Sequence, residues 1–143
     1  MIYSAIRGFT SIELKSYHKS RFTLYWLPVI VYCAAIFIKS SFPTSQRIPD
    51  WRNIDKMLHM AAYAILGALF FRALATGRFS NSLKIAAILS ILFSSLYGVS
   101  DEIHQAFVPG RSPEAADTLA NFAGSVLGSC VGWFRFKQKR PPS

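Results

Sequence analysis

The chain has 143 residues, of which 52% are hydrophobic and 16% charged; ordinary soluble domains carry about a quarter charged residues. That length fits one domain. The net charge of +9 does not indicate nucleic-acid binding, because the Lys and Arg residues form short clusters between apolar runs instead of a basic stripe on a soluble fold; such clusters suit anchors that face anionic lipid.

A bilayer core of about 30 Å requires roughly 20 mostly apolar residues per spanning helix. The first such run is Phe22 to Ile38, with Pro28 inside it, which a membrane helix tolerates as a kink. It follows a mixed polar segment and lacks a small-x-small cleavage site, so it reads as a retained helix rather than a signal peptide. The second run is Met57 to Leu74. The third is Leu83 to about Val99, continuing into a polar end, SDEIHQAF. The fourth is Ala115 to Phe136. A soluble bundle would show charges along one face of each helix, and the stretch from Thr118 to Trp133 has none. The expected fold is an all-α membrane protein, a four-transmembrane-helix bundle. Residues 1–21 form a basic N-terminal tail, 22–136 the membrane domain and 137–143 a basic C-terminal tail.

Outside the runs, eleven Lys and Arg residues fall in the two tails and the connection between the second and third helices. Five fall on the other side: Lys39, Arg47, Arg52, Lys56 and Arg111. The positive-inside rule then puts both termini in the cytoplasm. Cys33 and Cys130 lie within apolar runs and read as two free thiols that serve as small packing residues. No cysteine spacing suits a metal.

The acidic residues gather on the expected outer side. Asp55, His59 and Tyr63 are four residues apart and share one helix face. Asp101, Glu102 and Gln105 share a face at the end of the third helix, whereas His104 points elsewhere and reads as interfacial. Pro109-Gly110 fits the centre of a type II turn. Ser112 is the expected cap of the fourth helix, with Pro113 at its first position. Arg111, held by that turn, is suited either to clamp a phosphate or carboxylate or to pair with Asp101, Glu102 or Asp117. Asp117 and Asn121 head a stripe that continues as Gly124, Gly128 and Gly132, a spacing that lets helices approach closely. The glycine face serves packing within one chain or a homodimer. No metal ligands are assigned, although a divalent cation such as Mg is a candidate cofactor between acids and a phosphate.

Ser40-Ser41-x-Pro43, Asp55-Lys56-x-x-His59-x-x-x-Tyr63, and Asp101-Glu102-x-x-Gln105-x-Phe107-x-Pro109-Gly110-Arg111 with Asp117-x-x-x-Asn121-x-x-Gly124 together resemble the VanZ-like family, over roughly Phe22 to Trp133. The resemblance implies a polytopic protein of the bacterial cytoplasmic membrane, in a family whose founding member is associated with resistance to the glycopeptide teicoplanin. It implies site positions but no roles for them.

Three functions fit. In the first, the outer-face site binds or processes a lipid-linked or anionic cell-envelope compound. His59, Asp101 and Glu102 are then the catalytic candidates, and Asp55, Tyr63, Gln105, Arg111, Asp117 and Asn121 the ligand-binding ones. The second is a small proton- or ion-coupled transporter. The third is a structural protein whose polar cluster is an ion-pair network. The expected partners are the lipid bilayer and an envelope ligand, with no nucleic acid.

Overall fold

The computed structural model describes residues 22–43 and 52–139, with Arg52 and Asn53 defined by backbone alone. The basic N-terminal tail, the residues after 139, and Arg47 and Asp50 lie outside the described residues. The described chain is four helices without a strand: α1 (Phe22–Ser40), α2 (Arg52–Thr76), α3 (Leu83–Gln105) and α4 (Ala115–Gln138). The expected helices are all present, and α2 starts a turn and more before its apolar run.

Length and composition make α1, α2 and α3 able to cross a membrane. α4 is long enough, but Asp117, Asn121, three glycines and two serines dilute its hydropathy. Those residues occupy its inner face; outward it presents Leu119, Phe122, Leu127, Val131 and Phe134, all exposed. Exposed Leu, Ile, Val and Phe side chains cover the other helices as well. In water such a surface would drive aggregation, whereas in lipid it is the solvated face.

α2 is the centre of the packing and α4 its closest neighbour. A Cβ on Gly124 would collide with the carbonyl of Met60, and one on Gly128 with the carbonyl of Ala64. From the other side, a Cβ on Gly67 would stand 2.6 Å from the Ser125 carbonyl oxygen. The two backbones therefore touch, and dispersion over that contact holds helices that no hydrophobic effect drives together in lipid. Gly132 faces the Phe71 ring. The glycine stripe is thus consumed within the chain. Of the two expected uses of that face, packing within one chain or a homodimer, the structure shows the first: α2 fills it at Gly124 and Gly128.

Packing differs between the two ends of the bundle. At the α2–α3 connection, buried Phe71, Leu74, Ala75 and Ala86 meet Trp26, Phe79, Trp133 and Phe136 in an apolar core. Midway, Ser90, Ser94, Ser125 and Ser129 are fully buried. Ser90 donates to Ser129 at 2.8 Å, and Ser94 and Ser125 donate to carbonyls one turn back. At the opposite end the interior turns polar.

α1 is peripheral, with Val29 the one core side chain it buries. Polar contacts near its C-terminal half dock it. The Tyr97 hydroxyl donates to the Cys33 carbonyl at 2.6 Å. His104 stacks on Phe37, with centroids 4.6 Å apart, and shares a 3.1 Å hydrogen bond with Ser41. His104 is therefore a helix–helix contact and not only an interfacial residue. The two thiols are free, as expected.

Candidate functional site

The α3–α4 connection builds the rim of the polar end. Gly110 has φ of +81° and the Arg111 N–H donates to the Val108 carbonyl at 3.1 Å, so Pro109-Gly110 is the type II turn the sequence suggests. The expected cap does not form. Glu114, not Ser112, occupies the N-cap position of α4, in extended conformation and without a side-chain cap bond; Pro113 stays outside the helix.

Arg111 donates to the carbonyls of Phe42 and Lys39 and to Gln105 Oε1, at 3.2–3.3 Å. Among the described residues it forms no ion pair, so of its two expected roles the pairing with Asp101, Glu102 or Asp117 is not made. Its guanidinium instead closes off the end of α1, where carbonyls lack helical partners. Gln105 relays this contact inward, donating from Nε2 to Asp101 Oδ2 at 3.1 Å.

Behind Arg111 lies a pocket of about 50 Å³ lined by Ile36, Lys39, Ser40, Leu58, His59, Ala62, Tyr63, Asp101, Gln105 and Arg111. A water needs roughly 10–15 Å³ in this measure, so the pocket takes a few waters or one small polar group and no hydrocarbon chain. Two of its walls are chemically unspent. The Tyr63 hydroxyl and Asp101 Oδ1 are both buried and neither has a hydrogen-bond partner. Native proteins rarely leave such groups unmade.

His59 stands between this pocket and a second acidic group. Its Nδ1 lies 3.0 Å from Asn121 Oδ1 and 3.7 Å from Glu102 Oε1. The Asn121 carbonyl oxygen selects the Nδ1–H form and leaves the lone pair on Nε2. Glu102 is 6% exposed, and its titratable neighbours are His59, Asp117 and Asp101. The Glu114 peptide N–H faces this carboxylate, but no hydrogen bond closes on either oxygen. Lys56 donates to Glu114 at 2.8 Å and to Asp117 Oδ1 at 3.2 Å.

The stripe on α2 runs inward as its spacing predicts, from exposed Asp55 through His59 to Tyr63, which is 1% exposed. Every candidate site residue named from the sequence lies at this end of the molecule. They divide at His59: Tyr63, Asp101, Gln105 and Arg111 line the pocket, whereas Asp55, Glu102, Asp117 and Asn121 cluster toward α4. Sequence reasoning missed Lys39 and Ser40 as pocket walls and Lys56 as the partner of Asp117. Lys39 and Ser40 close the first apolar run, and Ser40 also opens the Ser40-Ser41-x-Pro43 motif, but neither signal pointed to a pocket wall. Lys56 had one: it lies one residue from Asp55 at the mouth of the stripe.

Apolar helices closed around a polar, partly unsatisfied site at one end define a multi-pass membrane protein. The model of the VanZ/LLP1 family matches residues 8–136, and the chain belongs to that family. The match extends further toward the N-terminus than the motifs, into the segment expected to be a tail outside the family pattern. No curated protein and no solved structure matches the chain.

Proposed function

We propose that this protein holds the polar head of a lipid-linked or anionic cell-envelope compound at the outer face of the bacterial cytoplasmic membrane, with four membrane crossings and both termini inside. One observation carries the reading: Tyr63 and Asp101 line the same small pocket with a buried, unpartnered donor and acceptor. A guest hydroxyl, or the O–H of a protonated phosphate, accepts from Tyr63 and donates to Asp101 and so satisfies both. The pocket admits a group of that size and excludes a tail, so the apolar part of the ligand stays in lipid beside exposed Leu58.

Charge at the rim selects the guest. Lys39 is exposed there, and Arg111 has donors left after its three contacts, so both attract an anionic group. If the compound is processed, His59 with Asp101 or Glu102 supplies an acid–base pair. The transporter reading lacks comparable support. The buried serines below the site bond to each other or to carbonyls, and the glycine contact closes the space between α2 and α4. An ion-pair lock accounts for only part of the cluster: Lys56 pairs with Glu114 and Asp117, and His59 lies 3.7 Å from Glu102, but Asp101 joins no salt bridge among the described residues.

The test is the lipid that co-purifies with the protein in mild detergent, read by mass spectrometry for the native chain, Tyr63→Phe and Asp101→Asn. A lipid-linked species enriched with the native chain and lost from both variants is expected; identical lipid profiles for all three would sink the reading. The family resemblance adds a phenotype: expression of the native chain should alter teicoplanin susceptibility, and expression of Tyr63→Phe should not.

A further inference from the structure

We infer that Asp55, His59 and Asp117 form a binding site for one divalent first-row transition-metal cation, of the Mn²⁺ or Zn²⁺ type, with Glu102 as the outer carboxylate that steadies the histidine. One ligand atom from each of the three residues lies within 4.8 Å of the others. Ligands about 2.1 Å from a common ion stand roughly 3 to 4 Å apart. Small side-chain rotations at helix ends therefore close the set.

Three acids around one imidazole repel each other unless a cation lies among them. Lys56 is the ammonium that pairs with this group, through Asp117, and Glu114 shares it. Its contact is with Asp117 Oδ1, which leaves Oδ2 for an ion. Asp55 is exposed and gives the ion a way in from water.

An independent observation concerns His59 and Glu102. A histidine that ligates a metal almost always donates its other ring N–H to a carbonyl or carboxylate, which fixes the tautomer. His59 has that arrangement, with Asn121 Oδ1 at 3.0 Å and the Glu102 carboxylate at 3.7 Å from Nδ1. Glu102 is more than nine-tenths buried, is aimed at that ring, and neither of its oxygens has a hydrogen-bond partner. A cation bound by the other ring nitrogen gives this buried carboxylate a positive partner through the imidazole. Imidazole combined with carboxylates favours Mn²⁺, Fe²⁺ or Zn²⁺ over Mg²⁺, which prefers an all-oxygen shell and keeps its waters.

The inference does not depend on the guest of the Tyr63 pocket, and its test uses delipidated protein with metal alone. Mn²⁺, Zn²⁺ and Mg²⁺ are titrated into the native chain, Asp55→Asn, Asp117→Asn and Glu102→Gln, by calorimetry and by Mn²⁺ electron paramagnetic resonance. The native chain should bind one equivalent of Mn²⁺ or Zn²⁺ more tightly than Mg²⁺. Asp55→Asn and Asp117→Asn should abolish that binding, and Glu102→Gln should weaken it about tenfold, the lower end for an outer-shell partner. Asp55 is exposed, so Asp55→Asn folds even if Asp117→Asn does not, and size-exclusion profiles check this. Unchanged binding in Asp55→Asn, no binding by the native chain, or a preference for Mg²⁺ overturns the inference.

Discussion

Tyr63 and Asn121 are both buried polar residues beside His59, yet removing their polar atoms should have opposite effects. The Tyr63 hydroxyl has no partner, so Tyr63→Phe removes an unpaid desolvation cost. Its stability should match or exceed the native chain while retention of the co-purifying lipid falls. Asn121→Ala removes the acceptor of His59 Nδ1 and leaves a gap between α2 and α4. It should lower stability by about 1–2 kcal/mol, as a lost hydrogen bond with incomplete repacking does. Thermal unfolding in detergent measures both, and a destabilised Tyr63→Phe would mean that the hydroxyl is structural. The helical spacing of Asp55, His59 and Tyr63 made that stripe legible in the sequence. The partners of Arg111 were not, because two of the three are backbone carbonyls of α1, and every residue carries one. The division of the polar residues at His59 was equally hidden, since it depends on which way the ring of one side chain faces.

At the scale of the helix, the glycine stripe of α4 is where stability is most exposed to mutation. Ala in place of Gly gains roughly 1 kcal/mol of helix propensity, so the outcome depends on what the new methyl meets. At Gly128 it meets the backbone of Ala64, which cannot move without shifting α2. At Gly132 it meets the ring of Phe71, with Cδ1 at 2.7 Å, and a side chain can rotate. Gly128→Ala should therefore cost at least about 2–3 kcal/mol, in the range of overpacked cores, and Gly132→Ala distinctly less. Equal melting temperatures for the two variants would refute the backbone contact. The repeated spacing revealed a packing face, but its partner was decided by Gly67 and Ala64 of α2, small residues that carry no pattern of their own. α1 depends on a different kind of contact. It buries little, so its end is held by Arg111, Tyr97 and His104. Arg111→Lys cannot span the Lys39 and Phe42 carbonyls together with Gln105, because an ammonium is one point where guanidinium is a fork. This variant should leave the α2–α4 core folded while limited proteolysis between α1 and α2 speeds up several-fold. An unchanged cleavage rate would place the anchoring of α1 elsewhere.

The whole molecule is polarised along its axis: aromatic and aliphatic packing at the α2–α3 connection, serines midway, carboxylates and His59 at the far end. The sequence predicts which end faces out from Lys and Arg alone, because acidic residues count little toward orientation. Arg72, Arg78 and Lys84 flank the apolar end, whereas Lys39, Lys56 and Arg111 lie at the polar end and are tied to that end by carbonyls, acids or the pocket rim. Arg111 and Lys56 are thus spoken for by structure, which weakens their pull on topology and leaves the remaining bias steeper than a plain count suggests. A consequence follows for accessibility. In a background where Cys33 and Cys130 are replaced by Ser, Ser112→Cys should react in intact cells with a membrane-impermeant maleimide, because Ser112 is exposed on the α3–α4 connection, the side that the Lys and Arg distribution predicts to face out. Lys84→Cys, exposed at the opposite end, should react only after the membrane is opened. The reverse pattern would turn the site toward the cytoplasm, where an envelope compound on the outer leaflet could not reach it. Labelling of both positions in intact cells would mean that α3 does not cross. The topology and the ligand class therefore stand on one measurement that needs neither the ligand nor the cation.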